Sequence, residues 1–327
     1  MRIGIDCRKI ADFGIGVYIR GLLHALVDIG EEAYVAFGPR EIASMLPGGV
    51  EHAVVDAPKY SVRELFTIGR NAQIDLFHAP HYVVPFVSVP FVVTIHDLIH
   101  LHHRNPLGRL YARSMIGRAV RKSGAVMTVT AAVRDEIASL FGHEGKIFVT
   151  PNGVDPMFTP GGPKAQGRYF LLVGNDKPHK NVDRLVEAAP ADVQLILAGG
   201  SFERFRGRER VVLAGFVSQE QLAALYRGAI ALVLPSLEEG FGLPAIEAMA
   251  CGTAVITSNV PSLVEVTGDA AIHVDARSVA SIGDAMTRVM RDDSARATMI
   301  ERGQRRAREF TWRRCAEMTR EIYRRIT

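Results

Sequence analysis

No apolar run in this chain approaches the roughly 20 residues that a helix needs to cross a bilayer. Its first strand-like segment, RIGID, begins at Arg2 with no apolar leader ahead of it, so the expectation is a cytoplasmic protein. Cysteine is scarce: Cys7, Cys251 and Cys315 are odd in number and far apart, which argues against a disulfide framework and against a cysteine metal site. Low-complexity segments are absent. The formal net charge of +4 is too small to call for a nucleic-acid partner. Acidic residues are locally missing, however: none occurs between Asp97 and Asp135, where seven basic residues do. That basic stretch, Arg104 to Arg134, reads either as a solvated helix surface or as a contact for anionic lipid or a phosphate-bearing acceptor. The second reading would place the protein peripherally on the inner face of the membrane.

With 48% hydrophobic and 23% charged residues, the chain can bury sizeable cores, and 327 residues exceed what one core usually holds. Two domains are therefore expected. Short aliphatic runs alternate with helix-length amphipathic stretches: RIGID, AYVAFG, VEHAVV, IDLFHA, FVVTIHD, AVMTVT and KIFVT before residue 150. YFLLVGN, VQLILAGG, VVLAGF, ALVLPS, AVITS and AAIHVD follow Arg168. Each half reads as a doubly wound parallel α/β sheet, with ligands beyond the carboxyl ends of its strands. The Pro- and Gly-rich run PNGVDPMFTPGGPKAQG marks the boundary. The expected division is a domain over 1–154, a linker over 155–167, a second domain over 168–305, and a helix over 306–327 packing back on the first.

The segment LVLPSLEEGFGLPAIEAMACGTAVITS, residues 232–258, reads strand, glycine-rich loop, helix, strand, with the helix over about 243–251. Glu239 then lies in the loop and Glu247 one turn inside the helix, with both carboxylates expected to point into one pocket. Gly240 and Gly242 permit close backbone approach, and the amides near Gly242 and Leu243 suit a diphosphate. This segment closely resembles the signature of glycosyltransferase family 4, in which two glutamates are separated by seven residues. The GIG loop, the HD strand end, PNGVD and KPHKN occur in the family's order, so the resemblance covers nearly the whole chain.

The family implies a GT-B architecture: two Rossmann-like doubly wound domains facing across a cleft. It further implies retaining transfer of a hexose, mannose or glucose in type, from a nucleoside diphosphate sugar to a hydroxyl of a glycan or lipid-linked acceptor, with no metal and no cofactor. By resemblance Glu239 contacts the donor sugar, Glu247 the ribose and Lys180 the diphosphate, with Phe241, Gly242 and Leu243 beside them. Asn175 stands where some members carry a phosphate-binding arginine, and Lys177 could substitute. The backbone around Phe216 and Val217 would hold the base, beside a helix with Ser218 as N-cap and Gln221 three residues on. His179 reads as packing or surface.

In the first half, Gly14 and Gly16 lie in a loop before a helix expected to start near Val17. Ile19 occupies the place of the third glycine of a dinucleotide fingerprint, which disfavours NAD. By resemblance those two glycines face the donor diphosphate and acceptor, and His96 lies near the transferred sugar, with Asp97 and His78 on the acceptor side. His78 and His81 also read as core packing. The additional His100, His102 and His103 raise a zinc reading for His96–His103, against which neighbouring strand residues point in opposite directions. Rival functions are a GT-B sugar-nucleotide epimerase or phosphorylase, and a sugar-nucleotide-binding protein without turnover.

Overall fold

The computed structural model describes residues 1–55, 64–67, 73–102 and 105–327. His103 and Arg104 lie outside the described residues. The chain divides into two compact units, Met1–Gly153 with Thr311–Thr327, and Val154–Phe310.

In the first unit the elements run β1 (Arg2–Asp6), α1 (Phe13–Ile29), β2 (Ala33–Gly38), β3 (Glu51–Val54), α2 (Glu64–Thr67), β4 (Leu76–Ala79), β5 (Phe91–Ile95), α3 (Pro106–Lys122), β6 (Ala125–Thr128), α4 (Ala131–Phe141) and β7 (Ile147–Val149). The strands form one parallel sheet in the order β3-β2-β1-β4-β5-β6-β7. Ile3, Ile5 and Leu76 bury one face under Ile19, Leu22, Leu23 and Leu26 of α1. The other face packs Phe77, Val93 and Val126 against Ile116 and Val120 of α3 and Ile137 of α4. Burial on both faces explains why these strands read as continuous aliphatic runs. Local chemistry sets the helix starts: Asn105 accepts from Leu107 N–H at 3.0 Å ahead of Pro106, and Thr130 accepts from Val133 N–H at 3.3 Å.

The second unit contains β8 (Tyr169–Asn175), α5 (Val182–Ala188), β9 (Gln194–Gly200), β10 (Val211–Gly215), α6 (Gln219–Gly228), β11 (Ala231–Leu234), α7 (Leu243–Ala250), β12 (Ala254–Ser258), α8 (Pro261–Thr267), β13 (Ala271–Val274), α9 (Val279–Arg291) and α10 (Asp293–Ala307). Its sheet is again parallel, ordered β10-β9-β8-β11-β12-β13. Residues 155–167 lie within this unit, where Arg227 gathers the carbonyls of Thr159 at 2.7 Å, Pro163 at 3.2 Å and Met157 at 3.4 Å.

The last helix, α11 (Trp312–Ile326), belongs to the first unit. Trp312, Cys315, Ala316, Ile322 and Tyr323 join the core under α1, the Trp312 ring lying where a side chain on Gly21 would otherwise be. A buried ion pair fixes it further. Arg320 donates from Nε to Glu32 Oε2 at 2.8 Å and from Nη2 to Glu32 Oε1 at 3.0 Å, and Tyr34 OH reaches the same carboxylate at 3.1 Å. Arg324 and Glu31 extend the clasp at the surface.

Removing one partner of a buried pair strands the other charge, whereas an exposed pair is screened by water. Arg320→Ala is therefore expected to lower the unfolding free energy of the first unit by about 3 to 5 kcal/mol, read by urea denaturation, while Arg324→Ala leaves it within error. Equal small losses would show that the buried pair does not hold α11.

Candidate active site

In a doubly wound sheet the crevice lies where consecutive strands depart in opposite directions. In the second unit that place is between β8 and β11, which neighbour each other although β9 and β10 intervene in sequence. The two loops leaving these strands are stitched together. Leu237 N–H donates to His179 C=O at 2.7 Å, and Asn181 Nδ2 donates to Pro235 C=O at 3.0 Å and Ala276 C=O at 2.7 Å. Across the same place Lys180 Nζ meets Glu239 Oε2 at 2.7 Å, both side chains less than one-fifth exposed. Burial, with Lys180 beside it, pushes His179 down to about 4, so it is neutral near pH 7.

Downstream of Glu239 the backbone turns through Gly242 in a left-handed conformation, φ 82°, into α7. No side chain caps this helix; Pro244 has no N–H and Ala245 N–H donates to Gly242 C=O at 2.8 Å, which leaves the Leu243 amide of the first turn for an anion. A Cβ on Gly242 would overlap Leu263 as well as strain the turn. Ser262 Oγ donates to the Glu239 carbonyl and holds the loop against α8.

Glu247, only 7% exposed, stands in the middle of α7 and accepts from Tyr226 OH of α6 at 2.8 Å. Burial raises its carboxyl to about 7, against the opposing pull of the Tyr226 hydrogen bond and with a further push from the Asp155 charge. The sequence reading missed Tyr226, whose only signal is a tyrosine on the apolar face of an amphipathic helix. It also missed Arg204, which forks onto both Asp176 and Asp183 beside the end of β8.

Two donor-side residues are partly engaged by the core. Phe241 is 4% exposed, its ring packed edge-on against Phe310 at 5.6 Å. The pairing of Glu247 with Tyr226 likewise turns one carboxylate oxygen toward α6. Asn175 ends β8 opposite Gly200, its Oδ1 buried without a hydrogen-bond partner, while Lys177 is exposed. At the end of β10 Val217 is half-buried and Phe216 lies over Gly200. Ser218 and Gln221 form a complete capping box.

In the first unit the corresponding crevice lies between β1 and β4. His96, at the end of β5, donates from Nε2 to Pro80 C=O at 3.2 Å and packs edge-on against Tyr18 at 4.6 Å. Burial pushes it down to about 4. The neutral ring with its proton on Nε2 presents Nδ1 as an acceptor for a hydroxyl. Asp97 instead turns its carboxylate onto its own loop, accepting from Ile99 N–H at 3.1 Å.

His78 is not on an acceptor surface. It is wholly buried, with Nδ1 bonded to Tyr323 OH at 2.7 Å and Nε2 to Thr94 Oγ1 at 2.8 Å, so both nitrogens serve the core. Gly14 and Gly16 are not in a loop either: α1 starts at Phe13, and both lie in its first turn. A side chain at Gly16 would overlap the Ile10 carbonyl, whereas Gly14 borders open space, so only Gly16 is required by close approach. Among the described residues no group of three or more His, Cys, Asp or Glu is arranged to hold a metal ion.

The family described as Glycosyl transferases group 1 matches residues 157–306, and that described as Glycosyltransferase Family 4 matches residues 14–158. The chain is 30% identical over 285 residues to O-antigen chain mannosyltransferase B of Escherichia coli, covering 76% of this chain and 74% of that protein. It is 31% identical over 288 residues to glycogen synthase of Mycobacterium tuberculosis, covering 78% and 69%. Among solved structures, sucrose-phosphate synthase from Thermosynechococcus elongatus matches with a TM-score of 0.83 at 20% identity, over 99% of this chain and 98% of that one. Anabaena HepE in complex with UDP-glucose matches with a TM-score of 0.79 at 16% identity, over 99% of both. The architecture is GT-B, and the activity class is glycosyl transfer. The chain belongs to glycosyltransferase family 4, group 1 type.

Because Glu247 keeps its proton to a higher pH when folded than the 4.5 of an ordinary carboxyl, the unfolded chain deprotonates first. Stability is then lost as pH rises from about 4.5 to about 7, by roughly 1.4 kcal/mol per pH unit at most. Glu247→Gln should flatten that slope in denaturant titrations of the second unit; an unchanged slope would place the titration elsewhere.

Proposed function

We propose that the protein transfers a hexose, with retention, from a nucleoside diphosphate sugar to a hydroxyl of a glycan or lipid-linked acceptor, and does so without a metal ion. The observation that carries this reading is the Lys180–Glu239 pair at the β8/β11 crevice, beside the uncapped start of α7. Lys180 and the backbone amides at Gly242 and Leu243 supply the positive charge that a leaving diphosphate needs, which is the role a divalent cation would otherwise fill. When the diphosphate takes Lys180, the Glu239 carboxylate is released to accept from sugar hydroxyls. Paired with each other, neither group is buried as an unpaired charge.

Glu247 takes the ribose hydroxyls while Tyr226 holds its other oxygen. In the first unit, His96 Nδ1 accepts from a hydroxyl of the acceptor. The glycosidic bond breaks toward an oxocarbenium-like species, and the departing phosphate helps remove the acceptor proton on the same face. Double displacement through a protein carboxylate would need an acid on the opposite face of the sugar. The names of the relatives, a mannosyltransferase and a glycogen synthase, support a hexose, and the UDP-glucose complex of HepE supports a nucleotide-sugar donor.

A thermal-shift and hydrolysis panel of nucleotide sugars in EDTA is expected to single out one donor. Glu247→Ala should weaken that donor about tenfold or more, as loss of a hydrogen bond to a charged group does. Lys180→Ala should lower kcat by about 100-fold or more with a smaller change in donor KM. No stabilisation by any donor, or activity lost to EDTA and restored by a divalent ion, would overturn the reading.

Tyr226→Phe offers a separate check through pH. The wild-type donor KM should fall as Glu247 ionises through about 7, and removal of the tyrosine hydroxyl should move that midpoint upward. An unmoved midpoint would show that Glu247 does not govern donor affinity.

A further inference from the structure

Three of the most exposed large apolar side chains of the described residues, Leu107 at 77%, Leu110 at 66% and Tyr111 at 44%, fall on the first two turns of α3. Their spacing of three and four residues puts them on one side of the helix, opposite Ala112, Met115, Ile116, Ala119 and Val120, which bury the other side in the first unit. A helix that is apolar on the buried side normally turns a polar face to water. This one does not at its amino-terminal end.

Charge adds a second, independent feature. Between Pro106 and Lys122 there is no acid, while Arg109, Arg113, Arg118, Arg121 and Lys122 are all present. Arg118 continues the stripe begun by Leu107 and Tyr111. Its guanidinium lies 4.2 Å over the Phe86 ring, and Phe86 in turn contacts Phe66 at 5.1 Å, both rings more than 40% exposed. The surface is therefore an apolar strip flanked by cations, with no anion of α3 to compete.

We propose that this face of α3 docks on an anionic lipid bilayer. Leucine, tyrosine and phenylalanine enter the boundary between headgroups and acyl chains, and the flanking arginines pair with lipid phosphates. A soluble polyanion would use the cations and leave the leucines in water, whereas a second copy of this chain would have to meet five cations with matching acids. The helix begins ten residues after His96, so docking here would bring the end of β5 toward the lipid surface. This inference stands apart from the reading of the donor site and can fail without it.

The test is flotation of the full chain with phosphatidylcholine vesicles, with and without phosphatidylglycerol, at low and high salt. Binding is expected only to the anionic vesicles and should be weakened, but not abolished, by salt. Leu107→Ser/Leu110→Ser and Arg109→Glu/Arg113→Glu should each lower partitioning about tenfold or more, with unfolding temperature and donor hydrolysis unchanged. Failure of the wild type to float, or flotation of both variants as well as wild type, would overturn the proposal. So would a concentration-dependent dimer in light scattering that the leucine variant abolishes in the absence of vesicle binding.

Discussion

Two parallel strands that send their connections in opposite directions leave a gap at their carboxyl ends that no crossover helix covers. In the second unit that gap falls between β8 and β11, and the ion pair of Lys180 with Glu239 spans it. The surrounding structure holds those two side chains to one geometry. Asn181, at φ 58°, accepts a left-handed backbone that few residues tolerate, and its side chain ties three segments together through Pro235, Ala276 and Arg184. Ser262 and Gly242 set the glutamate loop. The crevice thus follows from strand order, and its chemistry from what the flanking loops place there.

The buried carboxyl of Glu247 is a cost that the fold accepts. A residue chosen only for stability at the middle of α7 would be apolar, like its neighbours Ile246, Ala248 and Met249. The tyrosine hydroxyl offsets part of the desolvation without supplying a counter-charge, which leaves the group poised near neutrality. The two glutamates of the motif consequently live in different electrostatic worlds: one is held against a lysine, the other is held against a neutral phenol.

The alternation of short aliphatic runs with amphipathic stretches made the thirteen strands of the described residues legible, most clearly the central ones, whose burial on both faces leaves an unbroken apolar signature. The E-x7-E frame was legible because glycine, proline and alanine each had a backbone reason for its place. The start of α1 was misread: Asp12 precedes it but makes no capping hydrogen bond with its side chain, and two glycines in a first turn look like a loop. The burial of His78, and of the Phe241 ring, was not settled by sequence, for a different reason. Their partners, Tyr323 and Phe310, are distant in sequence, and nothing local reveals that a ring will be claimed by the core. Tyr226 was missed on the same ground. The face of α3 was half legible: composition showed the missing acids, but only the fold shows which leucines the core leaves outside.

The placement of α11 also governs the order in which the molecule can be completed. The helix that closes the core over β1 and α1 follows the whole second unit in the chain, so β1 leaves the ribosome about three hundred residues before that cover exists. The second unit, contiguous from Val154 to Phe310, has all its pieces first. During synthesis, the earliest-made sheet is therefore the one that waits with its apolar face incompletely covered, a period in which a chaperone has something to hold.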